Sequence, residues 1–158
     1  MKIRFEDELY GSLEIDDPLI IELINSKPVQ RLKGITQSGY AIFLDVTHPY
    51  AKFKVTRYEH SIGVYALLKK IGASRLEQVA GLLHDISHPV FAHCLDFLYG
   101  RELYHDSHEK FHQKIILNSE IPAILEKYGI KPEEILYGNF TLLDNELPDI
   151  CADRIDYS

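Results

Sequence analysis

The sequence predicts a mainly α-helical domain with a short β ribbon or hairpin near its start. β-forming residues lie on both sides of Gly11 within residues 3–15, which favours a two-stranded element. A long helical pattern of apolar residues then runs from residue 59 to Gly72. Directly after it, Ser74 followed by Glu77 is a capping-box pattern that opens another helix. We therefore expect several helices packed around one core, with a ribbon attached.

The first third of the chain is divided by residues that favour turns and helix starts. After the ribbon, Asp16-Asp17-Pro18 supplies a carboxylate cap and an early proline, which open a helix. Pro28 is predicted to mark the next break, and residues 29–33 to start a short helix. Residues 38–56 are predicted to form an irregular connection or a short hairpin. The apolar residues expected to face inward from the first helix are Leu19, Ile20, Leu23 and Ile24.

The remainder of the chain reads as further helices. The helix capped by Ser74 is predicted to run to about Asp85, with Pro89 ending the helical pattern. Helical segments are expected at about 107–118, at 120–128 and after Pro132. A last helix is expected to start near Pro148 and to continue to the end of the chain. We see no internal repeat and no linker, and so predict one domain over residues 1–158.

Composition limits the classes of function. The chain has 158 residues, 46% of them hydrophobic, which is enough for one domain with a sizeable core. It lacks a run of about 18 apolar residues and an N-terminal apolar signal, so we expect a cytoplasmic protein that does not enter membranes. Cys94 and Cys151 are expected to be reduced thiols. The net charge of −7 argues against an extended nucleic-acid surface but permits a small phosphorylated ligand.

The pair His84-Asp85 is the most informative feature, because it follows an apolar helical stretch and precedes His88 and His93. An imidazole nitrogen and a carboxylate oxygen can reach one metal ion, and a helix end allows both side chains to turn toward it. In isolation, such a dipeptide is more often structural. The further histidines, with His60 and Asp153 as the best candidates for additional ligands, favour a metal site instead.

Other polar residues fit such a site less specifically. Arg57 precedes His60 and could hold a phosphate oxygen through two hydrogen bonds. Asp149, Asp153 and Asp156 have the spacing of one acidic stripe on a helix, and spacing alone leaves open which of them binds a metal.

A second group of histidines lies between the pair and the last helix. Asp96 comes one helical turn after His93, which fits either a carboxylate that orients a general acid or ordinary pairing on a helix surface. His105, His108 and His112 form a stripe that we interpret as surface decoration or a weak metal patch.

In their order along the chain, these residues resemble the HD superfamily of metal-dependent phosphohydrolases. His60, His84-Asp85 and Asp153 match its H…HD…D pattern. The likeness covers nearly the whole chain and follows one branch, the deoxynucleoside triphosphate triphosphohydrolases, which includes bacterial dGTPases. The other matching segments are Pro18-Leu19-Ile20, Gln30-Arg31-Leu32, Gln37 and residues 56–63, 84–88, 91–93, 108–109 and 153–157.

The resemblance implies an HD-domain helical bundle in which His60, His84, Asp85 and Asp153 ligate one divalent metal ion. Mn, Fe, Ni, Zn and Mg all remain open. The implied reaction is hydrolysis of a deoxynucleoside triphosphate at the α-phosphorus, which releases a deoxynucleoside and tripolyphosphate. The implied partner is thus a nucleotide, and branch members assemble into homo-oligomers. The resemblance assigns His93, Asp96 and His108 to catalysis, and Arg57, Gln37, His88, Arg154 and Tyr157 to substrate binding.

The chain also departs from the branch. Residues 87–93 lack two glycines that the branch usually has there, which stiffens the backbone along the implied phosphate path. Arg154 stands where a lysine often contacts phosphate. Family members continue for several helices beyond Asp156-Tyr157, so we expect either a fragment of a longer protein or a small variant with an open site.

Two other functions remain open from the sequence. An HD phosphodiesterase or nucleotide monophosphatase would use the same ligands on other phosphoesters. A regulatory module would bind metal and nucleotide without turnover. Release of tripolyphosphate would identify the first function, and nucleotide binding without any product would identify the module.

Overall fold

The fold is mainly helical with one antiparallel hairpin at its N-terminal end, which confirms the predicted class. The computed structural model describes residues 2–7, 9–37, 55–90, 111–146 and 148–156. None of the helices among these residues combines the length and the apolar character that crossing a bilayer requires.

The hairpin consists of β1 (Ile3–Asp7) and β2 (Gly11–Ile15), as the sequence predicts. Ile3 pairs with Ile15, and Asp7 with Gly11. Asp7 Oδ1 accepts the backbone N–H of Leu9 at 2.7 Å and that of Tyr10 at 2.9 Å. Gly11 has a φ of 69°, a left-handed conformation that glycine adopts without a steric penalty. This turn fixes the position of Tyr10.

Two short helices follow the hairpin. Helix α1 (Pro18–Ile24) starts at Asp17, whose Oδ1 accepts the backbone N–H of Leu19 at 2.9 Å. Helix α2 (Lys27–Arg31) and a 3₁₀ turn (Leu32–Gly34) come next. The prediction that Pro28 breaks the chain before a helix at 29 is wrong, because proline is accommodated in the first turn of α2. The four inward residues predicted for α1 are confirmed as buried: Leu19, Ile20, Leu23 and Ile24.

Residues 36–37 pair with residues 55–56. Thr36 and Thr56 form an isolated antiparallel bridge, and the Gln37 N–H donates to the Val55 carbonyl at 2.8 Å. Residues 38–54, for which an irregular connection or hairpin was predicted, lie outside the described part of the chain.

Helix α3 (Arg57–Lys70) begins two residues before the predicted start at Glu59. Thr56 and Glu59 form a reciprocal capping box, which satisfies two backbone donors at the helix start. At the other end Gly72 has a φ of 77°, and the N–H of Ala73 donates to the Leu68 carbonyl at 3.0 Å. This Schellman-type end turns the chain sharply into the next helix.

Helix α4 (Arg75–Leu83) packs closely against α3. Its cap is confirmed, since Ser74 Oγ accepts the Glu77 N–H at 3.1 Å. A Cβ added at Gly81 would lie 2.3 Å from Leu68 Cδ1, so a larger residue here would require the Leu68 side chain to move. The close packing brings the end of α4, with His84 as its C-cap, alongside the first turn of α3.

The capping box predicted for α4 is only half formed. Glu77 Oε1 accepts the backbone N–H of Leu142 at 2.8 Å and that of Leu143 at 3.1 Å, instead of returning to Ser74. Glu77 thereby attaches a C-terminal segment to α4.

The C-terminal part contains helical residues 111–117 (α5), α6 (Ile121–Lys127), α7 (Pro132–Leu136) and α8 (Ala152–Ile155). The predicted long last helix from Pro148 is wrong, because α8 has only four residues. The N–H groups of Ala152 and Asp153 donate to the carbonyls of Leu142 and Leu143, at 2.8 and 3.2 Å, so Asp149 lies outside the helix. The predicted acidic stripe through Asp149, Asp153 and Asp156 is therefore not formed.

Candidate metal centre

The four side chains predicted to ligate a metal lie together in the structure. Nε2 of His60 is 3.2 Å from Nε2 of His84 and 2.9 Å from Oδ1 of Asp153. Nε2 of His84 is 3.2 Å from the same Asp153 oxygen. The Asp85 carboxylate lies 3.8 Å from Nε2 of His60 and 3.5 Å from Nε2 of His84. Donor atoms from three separate elements therefore face one point.

The spacing of these atoms fits a shared cation. When each ligand bond is about 2.1 Å, two ligand atoms at right angles lie about 3.0 Å apart and two at a tetrahedral angle about 3.4 Å apart. The distances of 2.9–3.2 Å between His60, His84 and Asp153 fall in that range. Within the described residues, His60, His84 and Asp85 form a group able to hold a metal ion. Asp153 borders this group through its short distances to His60 and His84.

The hydrogen bonds made by Nδ1 of His60 and of His84 also support a metal site. Nδ1 of His60 faces Asp156 Oδ2 at 2.7 Å, and Nδ1 of His84 faces the Gly81 carbonyl at 2.7 Å. Both oxygens are acceptors, so both Nδ1 atoms carry hydrogen, and in the neutral rings both Nε2 atoms carry lone pairs. Two lone pairs and two carboxylates directed at one another repel unless a positive charge lies between them. The donor set therefore suits a divalent metal ion with nitrogen and oxygen ligands.

The pKa values of His60 and Asp153 also indicate that the cluster favours a positive charge. Burial, the largest influence on His60, lowers its pKa, but hydrogen bonds with Asp153 and Asp156 and the charge of Asp85 outweigh it and raise the pKa to about 9. Burial raises the pKa of Asp153, yet its hydrogen bonds with His60 and His84 hold that pKa below the ordinary value. Without a metal, the cluster takes up a proton.

Asp85 lies between the side chains of Arg57 and His88. Arg57 Nη1 donates to Asp85 Oδ2, and both side chains are about 5% exposed or less. His88 Nε2 lies 3.0 Å from Asp85 Oδ1. Although burial raises the pKa of Asp85, the neighbouring His84, His88 and Arg57 hold it well below the ordinary value. Asp85 is therefore a carboxylate in a fixed orientation.

Arg31 fixes the turn that carries His84-Asp85 and His88, although the sequence did not single it out for this role. Its Nη2 donates to the carbonyls of Ile86 at 2.7 Å and His88 at 2.9 Å. These bonds cross-link α2 to the turn after α4. They restrict the orientation of the residues that the turn presents to the site.

The side chains of the centre differ in exposure. The side chain of His60 is fully buried and that of Asp85 is 4% exposed, whereas that of Asp153 is 38% exposed. Among the described residues, the centre is therefore most accessible at Asp153.

Only some of the other predicted site residues contact the four proposed ligands in the structure. Arg57 and His88 join the centre through Asp85. Gln37 follows Thr36 at the bridge, and its Oε1 is buried with no hydrogen-bond partner among the described residues. Arg154 turns away from the four ligands and donates to the carbonyls of Asn145 and Asp149. The residues that lie outside the described part of the chain are His93, Asp96, His108 and Tyr157, with Cys94 and His105.

His112 does not fit the predicted surface stripe. Its Nε2–H donates to the Leu83 carbonyl at 2.9 Å, next to His84. Burial lowers the pKa of His112, which keeps the ring neutral and suited to this bond. Of the predicted thiols, Cys151 is buried and forms no disulfide within the described part of the chain.

The fold and the cluster define a helical domain in which His60, His84 and Asp85 form a group able to hold a metal ion, with Asp153 beside the two histidines. The chain belongs to the HD domain family, which matches residues 57–157. The match begins at the first residue of α3 and spans all four clustered side chains.

Several known proteins are similar over almost the whole chain. The uncharacterized protein YdhJ of Bacillus subtilis is 46% identical over 158 residues, which are 99% of this chain and 46% of YdhJ. The metal-dependent phosphohydrolase cns2 of Cordyceps militaris is 38% identical over 156 residues, 99% of this chain and 44% of cns2. The human deoxynucleoside triphosphate triphosphohydrolase SAMHD1 is 30% identical over 158 residues, 85% of this chain and 24% of SAMHD1.

A solved structure is similar as well. The crystal structure of a hypothetical protein from Aquifex aeolicus superposes with a TM-score of 0.73 at 32% identity, covering 99% of this chain and 45% of that one. The chain thus spans less than half the length of these relatives.

Proposed function

We propose that this chain carries the metal centre of a phosphohydrolase that acts on nucleotides, with deoxynucleoside triphosphates as the first candidate substrates. The observation that supports the metal dependence most directly is the convergence of His60 Nε2, His84 Nε2 and Asp153 Oδ1 at 2.9–3.2 Å. The nucleotide substrate rests on the similarity to SAMHD1 and on the sequence pattern.

In this proposal, His60, His84, Asp85 and Asp153 hold one divalent ion. Such an ion polarises a phosphoryl oxygen and lowers the pKa of bound water, which supplies a nucleophile near neutral pH. Asp85 stays ionised because Arg57 and His88 flank it. The exposed side of Asp153 is where a phosphate group enters, since the opposite wall is buried.

The remaining roles follow the family pattern. His93 and Asp96 are proposed to deliver a proton to the leaving oxygen, with His108 nearby. Gln37 and Tyr157 are proposed to face the sugar and base. Arg154 binds backbone carbonyls in this structure, so a contact with phosphate would require its side chain to turn.

The experiment starts with the metal. Purified chain, stripped with chelator and reloaded with Mn²⁺, is expected to bind about one ion, and Asp153→Ala is expected to abolish that binding. Asp149→Ala is the matched control, because Asp149 is exposed and its side chain contacts Asn145 rather than the cluster. Retained binding in Asp153→Ala would contradict the ligand assignment.

The substrate is then tested with the Mn²⁺-loaded chain against deoxynucleoside and nucleoside triphosphates, nucleoside monophosphates and cyclic nucleotides. Tripolyphosphate with a deoxynucleoside is the expected product pair, and His84→Ala is expected to release neither. Release of inorganic phosphate from monophosphates, or opening of a cyclic ester, would replace the substrate with another phosphoester. Nucleotide binding without any product would contradict the hydrolase proposal and favour a regulatory module.

A further inference from the structure

Asp156 is a buried carboxylate that contacts a proposed metal ligand from behind. Its Oδ2 accepts a hydrogen bond from His60 Nδ1 at 2.7 Å, and its Oδ1 accepts one from the Tyr10 hydroxyl at 2.7 Å. The side chains of His60 and Asp156 are both fully buried. Both oxygens of Asp156 are therefore engaged, one by the imidazole and one by the N-terminal hairpin.

Helix α3 leaves space for this carboxylate at Gly63. A Cβ at this position would lie 2.3 Å from Asp156 Oδ1 and 2.9 Å from its Cγ, distances that real Cβ atoms essentially never show. Glycine within a helix costs about 1 kcal/mol relative to alanine. Gly63 follows His60 by three residues, so both lie on the same face of α3. The glycine thus accommodates the group that orients His60.

The hairpin determines where the Tyr10 hydroxyl lies. Asp7 accepts the N–H groups of Leu9 and Tyr10, which fixes the turn, and the phenol then reaches Asp156 near the other end of the chain. An imidazole that donates its second N–H to a fixed carboxylate has a fixed ring orientation and is a more basic ligand.

We propose that Tyr10 is a positioning residue of the metal centre, which holds Asp156 so that Asp156 orients His60 toward the ion. This inference rests on the proposed metal centre. It adds to that centre a contribution from a β hairpin outside the matched HD residues 57–157. Tyr10 acts through Asp156 and touches neither metal nor substrate.

The test measures Mn²⁺ affinity of the full chain by competition with a fluorescent chelator. Tyr10→Phe removes only the hydroxyl and is expected to weaken Mn²⁺ binding about tenfold. This is the lower end of the affinity loss that is typical when a group supporting a metal ligand is removed. Tyr128→Phe is the matched control, because the Tyr128 hydroxyl also donates to a carboxylate at 2.7 Å, that of Glu22, which is not one of the proposed ligands. It is expected to leave the affinity unchanged.

A double-mutant cycle separates positioning from a general loss of stability. Asp156→Asn is expected to weaken Mn²⁺ binding by about tenfold or more, and adding Tyr10→Phe to it is expected to change the affinity little, since Tyr10 acts through Asp156. Thermal unfolding in chelator checks that the two tyrosine variants lose similar stability without metal.

Each outcome bears on a different claim. Wild-type Mn²⁺ affinity in Tyr10→Phe, or an equal loss in Tyr128→Phe, would overturn the positioning role while leaving the metal centre intact. Full additivity in the double variant would also overturn it. A wild-type chain that binds no divalent metal would remove the proposed function and this inference with it.

Discussion

Gly63→Ala tests how closely the metal centre depends on the packing behind it. The added Cβ would lie 2.3 Å from Asp156 Oδ1, whereas ordinary contacts begin at 3.4 Å, so the carboxylate must move by about 1 Å. Such a movement would stretch the 2.7 Å bond between Asp156 and His60 beyond hydrogen-bonding distance. We expect Mn²⁺ affinity to fall by about 10- to 100-fold.

Stability is expected to change less than metal affinity. Alanine favours the helix by about 1 kcal/mol over glycine, while overpacking costs about 1–3 kcal/mol, so the net loss is expected to be about 1 kcal/mol. Chelator competition measures the affinity, and urea unfolding in chelator measures the stability. Gly34→Ala is the control, because a Cβ there meets nothing within 4 Å and the backbone is not left-handed. Wild-type affinity in Gly63→Ala would refute the reasoning.

Two further predictions concern the attachment of α8 and the effect of pH. Glu77→Ala leaves the N–H groups of Leu142 and Leu143 without their acceptor and is expected to cost about 1–3 kcal/mol in urea unfolding. Glu77→Gln keeps an acceptor oxygen and should lose clearly less; equal losses would contradict this role. In the metal-free chain, folding raises the pKa of His60 from 6.5 to about 9, so the protonated imidazole stabilises the folded state. This contribution to the free energy of unfolding, up to about 3 kcal/mol, is fully present below pH 6.5 and is lost as the pH rises to about 9. Thermal unfolding in chelator should show this decline; stability that is flat or rises over that range would contradict it.

The sequence predicted the local elements well because their causes are local. The turn at Gly11, the caps at Asp17 and Ser74 and the end of α3 at Gly72 each depend on residues within one turn, and the structure has them all. The proposed ligands were identified from their residue types and order, and the structure places them together. Metal ligation by them stays a prediction.

The errors and omissions have a common physical origin. Asp156 contacts His60 across 96 positions and Tyr10 across 146, and Glu77 reaches Leu142 across 65. Periodicity reports which residues share a face of one element, so it carries no information on such pairs. The last helix is shorter than predicted because the N–H groups of Ala152 and Asp153 donate to the carbonyls of Leu142 and Leu143, ten residues earlier, rather than to a preceding helical turn.

The four-residue helix α8 has a consequence for biosynthesis. So short a helix has no stability of its own in water, and the aspartate that it contributes is separated from His60 by 93 positions. A growing polypeptide on the ribosome therefore completes the proposed metal centre only after Asp153 has emerged and α8 has packed. Until then, the two histidines are isolated imidazoles with little power to sequester a cation prematurely.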